Sequence, residues 1–118
     1  MRLCMPRSIQ LRLLDIHRAA EKIKQMIETR EAFLSNVVVQ DAVAYNVMAI
    51  GEACSHLPET LKQEIPEIPW NAIRGLRNLL THEYFIIDPN ILYTTATTNI
   101  TELIQALERW QKRNNGLD

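Results

Sequence analysis

Cysteine and glycine are scarce in this chain of 118 residues, and neither sign of charge is in excess. Cys4 and Cys54 are the only cysteines, without the CxxC spacing that opens a zinc site. Cys54 falls on the apolar side of a helical stretch and Cys4 near the terminus, and a reducing, cytoplasmic compartment fits both. The three glycines build no glycine-rich phosphate loop. Lys and Arg number 13 against 14 Asp and Glu, a formal net charge of -1. A strongly basic chain would advertise nucleic acid through charge alone. Here any RNA contact has to use a local cluster, and the weakly charged surface permits self-association. No apolar run approaches the ~18 residues of a membrane helix, so no membrane contact is expected. The first residues lack the apolar stretch of a signal peptide, and Met1 and Met5 are both candidate starts. No internal repeat or low-complexity segment interrupts the chain.

What is present has helical rhythm. Hydrophobic residues make up 47 % and charged residues 23 %, ordinary proportions for a globular protein. The length fits one domain over 1–118 with an ordered helical core at 8–112. Leu13, Ile16, Ala20, Ile23 and Ile27 recur at steps of three and four, which predicts an amphipathic helix over 8–30 with Ser8 as N-cap. Arg12, Arg18, Glu21, Lys22 and Glu28 make its solvated face. Val37 to Val39 has strand propensity but no strand to pair with, and reads as the start of a second helix over 38–57. Val43, Val47, Ile50, Cys54 and Leu57 line that helix, which stops at Pro58. Gly51 costs about 1 kcal/mol inside a helix relative to alanine, which a close helix crossing would justify. Glu52 beside it is either a solvated charge or a partner for an arginine on another helix.

A short helix over 59–64 follows, then a connector framed by Pro66 and Pro69, then a third main helix over 69–82 with proline at its first turn. Asp88-Pro89 is a cap-plus-first-turn signal for a long fourth helix over 88–112. Leu92, Ala96, Leu103, Leu107 and Trp110 form its apolar face. Thr94, Thr95, Thr97 and Thr98 read as small side chains at a helix contact. The expected fold is therefore all-α, an antiparallel bundle of four main helices plus a short one. Its helices carry apolar surface to spare, as a homodimer would require.

The chemistry concentrates in 73–84. At about 100° per residue, Ile73, Leu76, Leu79 and Leu80 share one side and face the core. Arg77, Thr81, Arg74, Asn78 and His82 spread across the other, with Arg77 and His82 about 140° apart. Such an arc is ordinarily the wet side of a helix, and a histidine near a helix C-terminus ordinarily complements the dipole. His17 and His56 read as helix-surface residues.

The run Arg77-Asn78-Leu79-Leu80-Thr81-His82-Glu83-Tyr84 resembles the R-N-x-x-x-H-x-Y signature of HEPN proteins, and its tyrosine resembles the HepT branch. The likeness extends through Gln40 to Val43, Ile50 to Ala53, Ile68 to Asn78 and the Asp88 helix start, covering about 13–107. What the resemblance implies is an all-α homodimer whose two motifs meet at the interface. It further implies a metal-independent endoribonuclease, the toxin of a type VII-like toxin–antitoxin pair, without a cofactor. RNA is the implied substrate, and a minimal nucleotidyltransferase the implied antitoxin, silencing the toxin with AMP on the tyrosine. Arg77 and His82 carry over as catalytic and Tyr84 as the modification site, with Asn78, Arg74 and Thr81 in support. The residues can do this chemistry. Histidine, with a pKa of about 6.5, serves as base or acid, and the arginine fork fits phosphate oxygens. Glu83 makes the local field less favourable to a polyanion. The alternative is a non-catalytic HEPN dimer that binds nucleotide or the transferase; a third reading is an unrelated helical adaptor.

Overall fold

The structure, a computed structural model, describes residues 7–83 and 87–115; among them every regular element is helical. The first helix, α1 (Arg7–Met26), begins one residue before Ser8, which therefore sits inside the first turn and is not the expected cap. It also ends short of residue 30, because Thr29 starts a new element. The Thr29 hydroxyl accepts from the Ala32 amide at 3.1 Å and caps a five-residue helix, α2 (Arg30–Leu34). Asn36 repeats the device, its Oδ1 accepting from the Val39 amide at 3.1 Å to open α3 (Val37–Ser55). That cap outweighs the strand propensity of the valines. Gln40 donates to the carbonyls of Phe33 and Leu34, tying α2 to the first turn of α3.

After α4 (Glu59–Glu64), the indole N–H of Trp70 donates to the carbonyls of both Lys62 and Ile65 at 3.1 Å. The Lys62 ammonium stands 5.7 Å from the ring centroid. These contacts fix the proline-framed connector and the start of α5 (Trp70–Glu83). Asp88 caps α6 (Pro89–Thr94) as its sequence indicates, accepting from the Asn90 amide at 2.8 Å. The helix then widens into a π-helical turn (Thr95–Asn99) and continues as α7 (Ile100–Asn115). The single fourth helix expected from the sequence is thus continuous but carries a wide turn. The Thr97 hydroxyl donates to the Tyr93 carbonyl four residues back at 2.8 Å, a bond of the kind that bends helices. Thr94 and Thr98 are exposed, so the threonine run is only partly a helix contact.

α3 is the central helix, with α1 along one flank and α5 along another, while α7 leans on α1. The stripes read from sequence form the core. Leu13, Ile16 and Ile23 of α1, Val43, Val47, Ile50 and Cys54 of α3, and Leu103, Leu107 and Trp110 of α7 are all buried. The Trp110 indole donates to Glu64 at 2.7 Å and ties α7 to α4. Burial in this core pushes the Cys54 thiol up to about 12, only partly opposed by Lys62. The helix α5 stands apart from this pattern. Only Leu80 is fully buried; Ile73, Leu76 and Leu79 are half-buried, so the expected core face of this helix is only partly covered. The radius of gyration is 15.0 Å and the extents are 53 × 26 × 22 Å. A compact chain of this length would have a radius of about 13.5 Å. No described helix is long and apolar enough to cross a membrane.

Candidate functional site

Where α5 crosses α3, the contact is set by a missing side chain. A Cβ on Gly51 would lie 2.7 Å from the Cβ of Arg77 and 3.0 Å from its Cγ. The glycine lets the two helices approach until the arginine stem lies on the α3 backbone, which justifies its cost in helix propensity. This corrects the helical-wheel reading, which placed Arg77 on the wet side. Arg77 is half-buried at the crossing, with its side chain 26 % exposed.

Its guanidinium is held from the next residue of α3. Arg77 Nη1 donates to Glu52 Oε1 at 2.9 Å. The other carboxylate oxygen, Oε2, lies 3.1 Å from Nε2 of His56, the C-cap residue of α3. Of the two readings open for Glu52 in the sequence, the structure selects the partner of an arginine. The Arg77 Nε is fully buried and has no hydrogen-bond partner among the described residues. Among the described residues, Nη2 is left unpaired.

The remaining sequence-derived residues sit around this crossing in different states. The Thr81 hydroxyl donates to the Arg77 carbonyl at 2.8 Å, so its proton is engaged by its own helix. Arg74 Nη2 donates to Asn71 Oδ1 at 2.8 Å, a local contact on an exposed surface. Asn78 and His82 are both exposed, and His82 bonds to no described residue. Its imidazole lies in the last turn of α5. Tyr84, the expected modification site, lies outside the described residues. His56 is exposed, as expected of a surface histidine; His17 is half-buried, 3.1 Å from Gln111 Oε1.

A groove of about 520 Å³ opens beside Arg77, walled by Val47 and Ile50 of α3, Ile73 and Leu76 of α5, and Leu103 of α7. The π-helical turn contributes Thr95 and Asn99 to its lining. Beyond a run of threonines, nothing in the sequence marks this turn. Glu52 is the residue whose connection to the motif the sequence left open, and its neighbour Gly51 was the signal for the crossing.

The family described as "Ribonuclease HepT-like" matches residues 16–110. A protein of Thermococcus cleftensis named "Probable ribonuclease HepT" is 36 % identical over 112 residues, 92 % of this chain and all of that protein. A protein of Methanocaldococcus jannaschii that carries an RNase name is 32 % identical over 88 residues, 75 % of this chain and 73 % of its own length. One of Caldanaerobacter subterraneus, also carrying an RNase name, is 34 % identical over 73 residues, 62 % of this chain and 65 % of its own. No solved structure matches the chain.

Proposed function

This chain belongs to the HepT-like ribonuclease family, and from that membership we propose that it is a metal-independent endoribonuclease, the cytoplasmic toxin of a two-gene pair. Arg77 and His82 are its catalytic residues, Asn78, Arg74 and Thr81 support them, and the active form is a homodimer. The observation that carries this reading is the state of the two motif side chains. Arg77 is held at a helix crossing with Nη2 unpaired among the described residues, and His82 is exposed and bonded to none of them. A fixed fork suits a phosphate, and an exposed imidazole can reach a substrate to give or take a proton.

Cleavage then runs as a transesterification. One His82 takes the proton of the ribose 2′-OH, and that oxygen attacks the adjacent phosphorus. The bond to the 5′-oxygen breaks, and a second histidine returns a proton to it. The products are a 2′,3′-cyclic phosphate and a 5′-hydroxyl. Each positioned proton transfer contributes roughly 10²–10⁴-fold, and the arginine stabilises charge gathering on the phosphoryl oxygens. Each chain has one motif histidine, so two histidines at one phosphate require two chains. The half-covered apolar side of α5 and the extended shape of the chain support that association.

The silencing partner in this reading is a minimal nucleotidyltransferase that transfers AMP from ATP to the Tyr84 hydroxyl, releasing pyrophosphate. Tyr84 stands two residues beyond His82. The added phosphodiester would bring negative charge towards Arg77, and the adenosine would occupy space that RNA needs. The test of the mechanism is cleavage of total RNA in excess EDTA, with analysis of product ends. Undiminished cleavage leaving cyclic phosphate is expected. Loss of activity restored by one divalent ion would overturn the mechanism, and a folded dimer with no cleavage would favour the non-catalytic HEPN reading.

A further inference from the structure

The side chain that holds Arg77 is outside the motif, on a different helix. The Glu52 carboxylate uses one oxygen on Arg77 Nη1 at 2.9 Å and the other on His56 Nε2 at 3.1 Å. Gly51, the preceding residue, admits the arginine stem to the α3 backbone. The stem and one end of the fork are therefore fixed from neighbouring positions of one helical turn, while Nη2 has no partner among the described residues.

We propose that Glu52 is the positioning residue of Arg77, fixing the plane of its guanidinium so that Nη2 is presented to the scissile phosphate. The proposal rests on the ribonuclease reading and adds a residue to it. A free arginine side chain samples many rotamers, and ordering it on the substrate would cost conformational entropy at each turnover. A carboxylate on Nη1 meets that cost during folding, which is preorganisation in its ordinary sense. Glu52 is 52 % exposed and Arg77 26 %, so the ion pair adds little to stability. Its effect lies in orientation. His56, the C-cap residue of α3, steadies the carboxylate from its other side. A carboxylate beside a polyanion site also has a cost, since it repels RNA. The positioning role requires that orientation outweigh repulsion, and the two effects have opposite signs in an assay.

The test compares wild type with Glu52→Ala and Glu52→Gln, using steady-state cleavage of an RNA substrate and the rate of phenylglyoxal modification of Arg77 read by mass spectrometry. Thermal melts show that the variants are folded. Glu52→Ala should lower kcat by about 100-fold, the scale of a small misplacement of a catalytic group, with KM changed by less than about threefold. Glu52→Gln, whose amide oxygen still accepts from Nη1, should recover part of the loss. Arg77 should be modified severalfold faster in Glu52→Ala than in wild type. Equal or faster cleavage by Glu52→Ala, or an unchanged rate of Arg77 modification, would overturn the proposal. Wild type that cleaves no RNA would refute the ribonuclease reading and with it the role of Glu52 in cleavage, and the labelling rate would still report whether Glu52 holds Arg77.

Discussion

Gly51 and Arg77 meet more closely than any side chain at residue 51 would allow, because a Cβ there would stand 2.7 Å from the arginine Cβ. The contact is with the stem near the backbone, so it cannot be relieved by moving the flexible end of a side chain. Gly51→Ala should therefore part α5 from α3 and destabilise the fold by about 1–3 kcal/mol, the usual range for overpacking. The helix-propensity gain of alanine offsets only part of that. Gly75 is the control: it lies on the same helix as Arg77, and a Cβ there meets nothing within 4 Å. Gly75→Ala should stabilise by up to about 1 kcal/mol. Urea titrations of both variants check the contrast, and shifts of the same sign would contradict it.

Cys54 gives the pH-dependent prediction. Burial pushes its thiol up to about 12, with Lys62 opposing weakly. The folded state thus disfavours the thiolate relative to the unfolded chain. The associated stability is fully present below the ordinary thiol range and is lost as pH rises through it towards 12. Native protein at pH 8 should react with a thiol reagent at residue 54 only as fast as it opens, and urea should release that reactivity. Rapid labelling of Cys54 in the folded protein would show that the site is more open than described.

The cap at Asp88 should be measurable separately. Its Oδ1 accepts from the Asn90 amide at 2.8 Å and from the Asn90 side-chain amide at 3.1 Å. Asp88→Ala removes the acceptor and should cost about 1 kcal/mol, with Asp88→Asn retaining most of the stability. Chemical denaturation of the two variants distinguishes lost capping from lost charge: equal destabilisation by both would assign the effect to charge.

The proposed dimer would cover the half-buried apolar side of α5. Light scattering at micromolar concentration should return twice the mass of the chain. Replacing the half-buried Leu76 in the groove wall with Glu should shift that mass towards one chain. A wild-type protein that stays monomeric over this range would contradict the dimeric site.

Long periodic segments were legible because their burial follows the 3.6-residue repeat. The stripes of Val43–Cys54 and Leu92–Trp110 reached the core, as did Leu13, Ile16 and Ile23, while Ala20 and Ile27 of the first stripe are only partly buried. The break after Met26 was not legible, since Ile27 continues the apolar rhythm while a single hydroxyl, that of Thr29, opens α2. Ser8 had the chemistry of a cap but not the position, as α1 already includes it. The π-helical turn escaped because a wide turn keeps the same side chains as an α-helix and changes only which amide finds which carbonyl. At the candidate site, the motif residues were legible one by one. Their environment was not: a helical wheel treats a helix as isolated, and it was Gly51 on another helix that drew Arg77 out of the solvated arc. The glycine marked a crossing without saying which helix would cross.

Arg77 and His82 are the side chains proposed to cleave RNA. The most direct measurement is cleavage of one end-labelled RNA by wild type, Arg77→Ala and His82→Ala, each purified by the same steps and shown to be folded and of equal mass in solution. His82 is exposed and bonded to no described residue, so its loss should leave stability nearly unchanged while removing a proton-transfer group worth at least about 100-fold. Wild type should cut the RNA, and both variants should lose at least that factor. Cleavage by His82→Ala at the wild-type rate would contradict it.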